Sequence, residues 1–390
     1  MAYDVSSSER DGLMNPLRDT VETLRRVDSL ELLTQRWAGL PQLSQELSLS
    51  PHWLATAAAV LYEPGTLRLI ELIRAGEVAA LAPLAVARSA DVERIELAGA
   101  ATLYEPCGFG YRDADALAEL CLAVIEAGRP VVLQRIAMDD PLLPAFKTAA
   151  RGRGQLLQFE AAGSPFVPIT TDWQKYLQTL SSRRRQDFRR ARRGLEKLGE
   201  VTFEVQSPSA ATVAAGLAAA MQVEAASWKG RNGTALLTNP RLGEFFRLLA
   251  QRLAGQGQLR LCFLRLDGVP VAMQIAAVYA ERWWVLKIGY DQRWAEHSPG
   301  IQLMWEVLRQ AFDRRLKSFE MLGSAEPWLT IWAREQRAYR TVAFYPYNIR
   351  GTVALGADIM KALAKRLARQ PGRGAGGGSD RNSDASDVSH

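Results

Sequence analysis

The sequence predicts an α/β protein with α+β layers, in which two copies of one unit form mixed sheets flanked by helices. Residues 67–110 align without a gap on residues 259–302. In each copy an apolar strand, a turn with glycine and two more strands lead to a glycine-containing loop and a helix. Such internal repetition is typical of a duplicated fold. The identities are Leu67-Arg68-Leu69 with Leu259-Arg260-Leu261, Gly76 with Gly268, Ala80 with Ala272, Ala85-Val86 with Ala277-Val278, and Gly108 with Gly300.

The first half alternates between patterns of helical period and short apolar runs of strand period. A turn at Ala75-Gly76-Glu77 joins two of its strands. The predicted elements are a helical region over 27–59 interrupted near Pro41 and Pro51, strands at 67–73, 78–86, 92–97 and 131–136, a helix over 113–127, and a short helix around Leu142, Leu143 and Phe146.

The second half repeats this alternation. Asp267-Gly268 is the strongest short-range hairpin signal of the chain. Ser298 and Pro299 are expected as N-cap and first residue of a helix. The predicted elements are a long helix over 173–198, strands at 201–205, 259–266, 271–279, 283–288 and 318–322, an alanine-rich helix over 209–226, a polar loop around 229–234, and helices from Ser298 and over 353–367.

These patterns predict four regions: a poorly ordered N-terminus at 1–26, a first domain at 27–170, a second domain at 171–369 and a tail at 370–390. The tail is rich in Gly, Ser and Asp and almost without apolar residues, so we expect it to be disordered. An apolar content of 48 % and a charged content of 23 % are typical of a globular protein with a large core.

Cysteine usage and hydropathy favour a cytoplasmic protein. Cys107, Cys121 and Cys262 are far apart and odd in number, which favours neither a disulfide framework nor a zinc site. The N-terminal residues carry no apolar signal segment, and no apolar run reaches the ~18–20 residues of a spanning helix. We therefore expect a cytoplasmic location and no metal, and leave peripheral contact with the inner membrane open.

The positive charge is concentrated in one predicted helix. Seven arginines lie between Arg183 and Arg193 with a single acid, Asp187, among them. A solvated basic face is one interpretation. The other is a phosphate site, for which Arg185, Arg189 and Arg192 are the candidates, because Arg grips phosphate in a bidentate manner. A nucleotide-linked donor, a cyclic dinucleotide, membrane-surface phosphates or RNA would fit. Aromatic residues are too few here to favour sequence-specific nucleic-acid recognition.

A second candidate site is the helix start after the predicted strand 283–288. Free N–H groups of Ser298, Gly300, Ile301 and Gln302 could hold a pyrophosphate there. Only His52 and His297 lie outside the tail, so a Ser-His-Asp triad or a histidine-rich metal site is hard to build.

The remaining catalytic candidates are Glu224, Lys287 and Tyr290. Glu224 would suit proton abstraction from an amine if it faces inward on its apolar helix, and an outward, solvated Glu224 is the alternative. Lys287 lies in an apolar strand, where a solvated end is equally compatible with the pattern. Trp228 and Lys229, in the loop Ser227-Trp228-Lys229-Gly230, could lie over a substrate.

These segments resemble a known family. The run Leu180-Ser181-Ser182-Arg183-Arg184-Arg185, the Ser227–Gly230 loop and Ser298-Pro299-Gly300-Ile301 resemble the BioF2-like acetyltransferase domain. This branch of the GNAT superfamily includes the CelD/BcsL group and is related to the FemABX aminoacyl transferases. Trp37-Ala38-Gly39-Leu40 and Ser50-Pro51-His52-Trp53-Leu54 are similar to its N-terminal part.

The resemblance implies tandem GNAT-like domains and transfer of an acyl group, with acetyl-CoA as donor, to an amino sugar, sugar precursor or lipid-linked sugar. It further implies a role in exopolysaccharide or adhesin synthesis. The basic helix and the tail are similar to a holdfast-polysaccharide acyltransferase regulated by cyclic di-GMP. One departure is that only Gly300 survives of the usual Q/R-x-x-G-x-G/A donor loop.

Two alternatives stay open at this point. An aminoacyl-tRNA-dependent transferase of the FemABX kind would use the basic helix for tRNA. A non-catalytic effector would bind a cyclic dinucleotide on a degenerate transferase fold. The fold by itself does not choose between them.

Overall fold

The structure, a computed structural model, describes residues 20–63, 65–89, 92–324 and 326–368. The predicted disordered tail at 370–390, and residues 1–19 of the predicted N-terminal region, lie outside these ranges. Residues 20–24 were also assigned to that region, but Thr20–Leu24 form an edge strand that pairs with the next strand along the chain.

The described residues form thirteen strands and twelve helices, with four short 3₁₀ helices between them. The strands are β1 Thr20–Leu24, β2 Leu67–Arg74, β3 Glu77–Ser89, β4 Val92–Leu97, β5 Gly110–Tyr111, β6 Val131–Ala137, β7 Gly154–Pro168, β8 Val201–Gln206, β9 Leu259–Leu266, β10 Val269–Tyr279, β11 Arg282–Tyr290, β12 Ser318–Glu320 and β13 Glu335–Pro346. The helices are α1 Leu30–Trp37, α2 Pro51–Val60, α3 Ala100–Leu103, α4 Ala114–Glu126, α5 Leu142–Ala150, α6 Trp173–Thr179, α7 Ser182–Glu196, α8 Val213–Ala225, α9 Trp228–Arg231, α10 Pro240–Gly255, α11 Pro299–Asp313 and α12 Ile349–Ala368. The 3₁₀ helices are Pro41–Ser44, Leu47–Leu49, Gln292–His297 and Pro327–Ile331.

The two halves follow one plan, as the repeat predicts. The hairpins β2–β3 and β9–β10 both turn through two residues with positive φ, Ala75-Gly76 at 51° and 80° and Asp267-Gly268 at 50° and 78°. Positive φ at both central residues is the type I′ geometry that matches the strand twist. The next strands, β4 with β6 and β11 with β12, pair in parallel across a connecting helix.

Two strands belong to both halves. The sheet order is β1-β2-β3-β4-β6-β13-β7-β12-β11-β10-β9-β8, with β5 beside β3. The last strand of the first half, β7, pairs with β12, and the last strand of the second half, β13, pairs with β6. They also pair with each other, from Glu335 opposite Phe166 to Pro346 opposite Gly154. The halves therefore share one continuous mixed sheet.

Two main cores cover opposite faces of the second half's strands. The larger core packs α8 and α10 against residues such as Leu261 and Trp284. The smaller core packs α7 and α11 against residues such as Leu264 and Trp283. Alternate residues of a strand face opposite sides of the sheet. Membership of one core or the other therefore shows which face of the sheet each buried side chain of β11 lies on.

The prediction of one helix over 173–198 is wrong. Leu180 and Ser181 are extended, with ψ of 143° and 150°, and they separate α6 from α7. The hydroxyl of Ser181 accepts a hydrogen bond from Arg184 N, which starts a new helix.

Strands β7 and β13 and helix α10 have no counterpart among the predicted elements. The sequence of β7 contains Gly154, Gly163 and Pro165, which weaken a strand pattern, and much of the strand is partly exposed. Its pairing with β12 and β13, two strands of the second half, supplies backbone partners that the local sequence pattern does not predict.

Substitution of Gly154 by Ala tests the shared strands. A β-carbon at Gly154 would lie 2.4 Å from the carbonyl oxygen of Tyr345 on β13. We expect Gly154→Ala to lower the free energy of unfolding by about 1–3 kcal/mol, the usual cost of overpacking. The urea midpoint followed by circular dichroism measures it.

Gly356→Ala is the matched control, since nothing lies within 4 Å of a β-carbon at this position in α12. Because Ala is the better helix former, this control should stabilise the protein by up to ~1 kcal/mol. Equal midpoints for the two variants would contradict the pairing described for β7.

Candidate functional site

A cleft opens in the sheet between β11 and β12. These parallel strands pair only from Arg282 to Trp284, opposite Ser318 to Glu320. β11 continues to Tyr290 with its other edge still paired to β10. Beyond Trp284, the edge of β11 that faces away from β10 has no pairing with β12. Unpaired strand edges of this kind are templates for an extended ligand.

A β-bulge directs Lys287 into the cleft. The register with β10 shifts between Ile275 opposite Lys287 and Ala276 opposite Val285, so that Leu286 is the extra residue. Trp284 and Leu286 face the larger core, and the ammonium group of Lys287 also lies on that side, 5.0 Å from the ring centroid of Phe246. The bulge therefore places two successive side chains, Leu286 and Lys287, on one face.

Glu224 faces inward, and it holds the loop that follows α8. The side chain is fully buried. Its Oε2 accepts a hydrogen bond from Leu236 N at 2.9 Å, and its Oε1 lies 3.5 Å from Lys229 Nζ. Lys229 Nζ in turn donates to the carbonyl oxygen of Ile288 on β11 at 2.8 Å. This geometry suits positioning of Lys229 and β11 more than proton abstraction.

The structure therefore brings three predicted residues together: Glu224, Lys229 and Lys287. Burial lowers the pKa of the half-buried Lys287, and the positive charge of Lys229 lowers it further, while Glu224 and Glu105 act in the opposite sense. Trp228, at the start of α9, is 44 % exposed beside this cluster, so its ring is available to a ligand.

The first half contributes Glu105 and Arg135 to the open end of the cleft, and neither residue was predicted from the sequence. Glu105 Oε2 accepts a hydrogen bond from Gly323 N at 3.0 Å, just beyond the end of β12. Arg135 is almost fully buried and donates to the carbonyl oxygens of Tyr104 and Gly323. The internal repeat could have pointed to Glu105, because it aligns the loop that contains Glu105 with the predicted phosphate loop near Gly300.

The predicted phosphate loop lies at the far end of β11. Pro299 is the first residue of α11, as predicted, but Ser298 has left-handed backbone, φ 49° and ψ 49°, and its hydroxyl caps nothing. The N–H groups of Ile301 and Gln302 both bond to Ser298 O, and Pro299 has none, which leaves Gly300 N–H for a ligand.

The other predicted phosphate ligands at this loop are engaged or buried. Gln302 Nε2 donates to His297 O at 2.9 Å, and its Oε1 is buried without a partner. Tyr290 borders the same loop, since a β-carbon on Gly300 would lie 3.2 Å from its ring. Tyr290 is therefore on the side of the predicted phosphate site, away from Lys287.

The basic helix α7 lies beside this loop rather than beside Lys229. Phe188 packs in the smaller core, its ring centroid 4.9 Å from those of Trp305 and Trp332. A β-carbon on Gly194 would lie 3.4 Å from His297 Nδ1. Since α8 and Lys229 are on the other face of the sheet, the arginines and Lys229 do not form one site.

The three predicted arginines differ in their surroundings. Arg185 donates to the carbonyl oxygens of Leu177 and Leu180 and so completes the end of α6. Arg192 bonds to Glu196 and lies 5.1 Å from the ring of Phe203. Arg189 is exposed. A cavity of about 320 Å³ is lined by Gln186, Arg189, Arg192, Arg193 and Glu196.

The segment that contains most of these residues matches a known domain in sequence. Residues 182–329, which contain α7, the cleft and the loop at Gly300, match the sequence model of the Acetyltransferase (GNAT) domain. No curated protein matches the chain in sequence.

Three solved structures share the fold at low sequence identity. L-PGS from Bacillus licheniformis is 14 % identical with a TM-score of 0.54, covering 90 % of this chain and 99 % of its own. The C-terminal domain of a putative lysylphosphatidylglycerol synthetase from Agrobacterium fabrum is 14 % identical, with a TM-score of 0.51 and coverages of 87 % and 97 %. FemX is 13 % identical, with a TM-score of 0.51 and coverages of 84 % and 98 %.

The described residues thus form a mixed α/β fold with two halves of one plan, and residues 182–329 match the GNAT acetyltransferase domain, which supports the prediction of an acyltransferase. The similarity to FemX confirms the FemABX-like side of the predicted resemblance at the level of the fold. The narrower BioF2-like assignment and a holdfast role stay predictions. Within the described ranges, no helix is long and apolar enough to cross a membrane, and no cluster of His, Cys, Asp and Glu could hold a metal ion.

Removal of the Glu224 carboxylate tests its positioning role. Glu224→Ala leaves Leu236 N–H without its acceptor and Lys229 without its charge partner. We expect the free energy of unfolding to fall by about 3–5 kcal/mol, as for other broken buried pairs. Urea unfolding of the full chain measures it.

The control is Glu204→Ala on β8, whose partly exposed carboxylate pairs with Arg265. Its cost should stay within ~1 kcal/mol. An equally small cost for Glu224→Ala would show that this residue does not hold the loop.

Proposed function

We propose that the second half transfers an acyl group from coenzyme A to an amine of an acceptor, and that an amino sugar or sugar precursor is that acceptor. The observation that carries the proposal is the divergence of β11 from β12 within the segment that matches the GNAT domain. The free edge of β11 beyond Trp284 offers backbone groups in strand geometry. An extended pantetheine arm with its two amides would pair there like an added strand.

The site residues divide into a donor end and a reacting end. At the donor end, Gly300 N–H and the start of α11 would hold a phosphate of the donor, with Tyr290 beside them. At the reacting end, the bulge brings Lys287 to the cleft, where its ammonium would stabilise the oxyanion that forms on the acyl carbon. Direct attack on a thioester needs orientation and such an oxyanion partner more than a covalent nucleophile.

The remaining predicted residues act on the acceptor side. Glu224 and Lys229 fix the carbonyl of Ile288 and the loop that starts at Ser227. The exposed ring of Trp228 would stack on a sugar. The amino-sugar acceptor, and a role in exopolysaccharide or adhesin synthesis, are supported by the sequence resemblance alone.

A second candidate donor, an aminoacyl-tRNA, is favoured by one observation. The arginines of α7 lie beside the donor loop, and that loop offers few free N–H groups of its own. An extended basic face suits a polyphosphate ligand larger than coenzyme A. The fold similarity to FemX and L-PGS is compatible with this alternative.

Titration with acetyl-CoA tests the donor assignment. We expect the full chain to bind acetyl-CoA in isothermal titration, and Gly300→Glu to weaken binding roughly tenfold or more, which is ~1.4 kcal/mol. The added carboxylate occupies the helix start and repels the donor phosphate, while the fold is retained by circular dichroism.

The matched control is Gly39→Glu, an exposed position where nothing lies within 4 Å of a β-carbon, and it should bind as the wild type does. Absence of wild-type binding at millimolar acetyl-CoA would contradict coenzyme A as the donor.

The tRNA alternative predicts RNA binding that weakens steeply with salt. For unfractionated tRNA, a variant combining Arg189→Gln, Arg192→Gln and Arg193→Gln should reduce the slope of log K against log salt by about 2–3 if the three arginines contact phosphates. Fluorescence anisotropy over a salt series measures the slope.

A control triple, Arg112→Gln, Arg241→Gln and Arg247→Gln, removes exposed arginines elsewhere on the surface. Equal salt slopes for the two triple variants, or no RNA binding by the wild type, would contradict aminoacyl-tRNA as the donor.

A further inference from the structure

Glu105 reaches the cleft of the second half from the first half. It follows α3, in the loop that the repeat aligns with the donor loop near Gly300. Its Oε2 is held by Gly323 N, three residues past the end of β12, on the opposite side of the cleft from Lys287. The charges of Glu105 and Lys287 act on each other. The two groups therefore flank the place where β11 and β12 diverge.

Arg135 fixes this position of Glu105. Its guanidinium donates to Tyr104 O, next to Glu105 in the chain, and to Gly323 O and Ser164 Oγ. It also lies over the rings of Tyr104 and Tyr339, at 4.7 and 4.9 Å. Arg135 itself has positive φ, 52°, in strand β6. A residue with strained backbone in a strand must be held in place by its surroundings. The surroundings of Arg135 include Tyr104 on one wall of the cleft and Gly323 on the other.

Glu105 differs from the other carboxylates of the cleft in having a free oxygen. Glu224 is fully buried, with Oε2 bonded to Leu236 N and Oε1 paired in charge with Lys229 at 3.5 Å without a hydrogen bond. The buried Glu320 bonds to Ser318 and Arg337. Oε1 of Glu105 has no hydrogen-bond partner among the described residues, and the side chain is only half-buried. A ligand in the cleft can therefore reach this oxygen.

The surroundings of Glu105 tune its charge state. Burial raises the pKa of this carboxyl to about 7, against the lowering effects of Gly323 N–H, Arg135 and Lys287. A carboxylate that titrates near the working pH combines a large deprotonated fraction with useful basicity.

We infer that Glu105 is the general base for the acceptor amine, so that the first half completes the active site of the second. This inference rests on the proposed function. It also gives the duplicated fold a division of labour: the second half binds the acyl donor, and the first half contributes the base.

The carboxylate of Glu105 takes one proton from the acceptor ammonium and leaves a neutral amine. The amine nitrogen forms a bond to the acyl carbon, and the bond from that carbon to the thioester sulfur breaks. The second proton lost by the nitrogen goes to the leaving thiolate, which departs as the thiol. Glu105 then returns its proton to water.

The test measures thiol release by the full chain from acetyl-CoA, with D-glucosamine and a panel of other primary amines as probe acceptors. The pH profile of kcat reports groups in the bound complex. For the wild type we expect kcat to rise with pH and level off above about 7. Glu105→Gln should lower kcat by about 100-fold or more and abolish the rising limb, while Glu105→Asp should keep the limb.

The matched control is Glu96→Gln, a half-buried glutamate of the first half that bonds to Tyr62, and it should behave as the wild type does. Glu105→Gln should bind acetyl-CoA with the affinity of the wild type in isothermal titration, which would show that its donor site is intact. A Glu105→Gln enzyme with wild-type kcat and pH limb would overturn the inference and leave the proposed function standing. Absence of acetyl-CoA binding and of turnover with every amine would overturn both.

A second readout does not depend on turnover. Because the pKa of Glu105 in the folded protein lies above its ordinary value of 4.5, the fold favours the neutral carboxyl. The resulting stabilisation is present below pH 4.5 and is lost as the pH rises through about 7. The melting temperature of the wild type should therefore fall relative to that of Glu105→Gln over this interval, and a constant difference would contradict the inference.

Discussion

The pairing of β7 with β13 is the constraint on which the rest of the structure depends. Each of these strands ends one half and lies between two strands of the other half: β7 lies between β13 and β12, and β13 lies between β6 and β7. Neither half can therefore complete its sheet alone. This pairing also fixes the distance between β6, which carries Arg135, and the end of β12, three residues before Gly323. The contact of Glu105 with the cleft is a consequence of that fixed spacing.

Buried polar groups concentrate where the halves meet. Arg135 has its guanidinium surrounded by carbonyl oxygens, a hydroxyl and two aromatic rings, and none of the carboxylates in the described part of the chain is hydrogen-bonded to it. Such an arrangement is costly in desolvation and is retained where position matters. The second half has a similar buried polar network around Glu224, whose carboxylate accepts a hydrogen bond from Leu236 N and pairs with Lys229. Both networks bond to the backbone at the edges of one cleft, Arg135 at Gly323 and Lys229 at Ile288.

The sequence predicted part of the candidate site and misread the rest. Lys287, Glu224 and Lys229 were selected from an apolar strand, an alanine-rich helix and a loop, and the structure brings them together. Inward or outward orientation of Glu224 could not be chosen from its helix, because the partners Leu236 and Lys229 come from the following loop. Arg185 was selected as a phosphate ligand, but it completes the end of α6, because a break at Leu180 was not visible in the pattern. Ser298 was expected to cap α11, and its left-handed backbone directs the hydroxyl elsewhere.

The sequence by itself determined the features that are encoded within about ten residues. These are the two hairpins with glycine at their turns and the proline that starts α11. The ungapped repeat of residues 67–110 at residues 259–302 was also visible in the sequence. The tertiary structure alone decided the sharing of β7 and β13, the position of α7 beside the donor loop, and the presence of Glu105 in the cleft. The physical reason is that periodicity and turn chemistry are local, whereas these three features depend on hydrogen bonds and packing between segments more than a hundred residues apart.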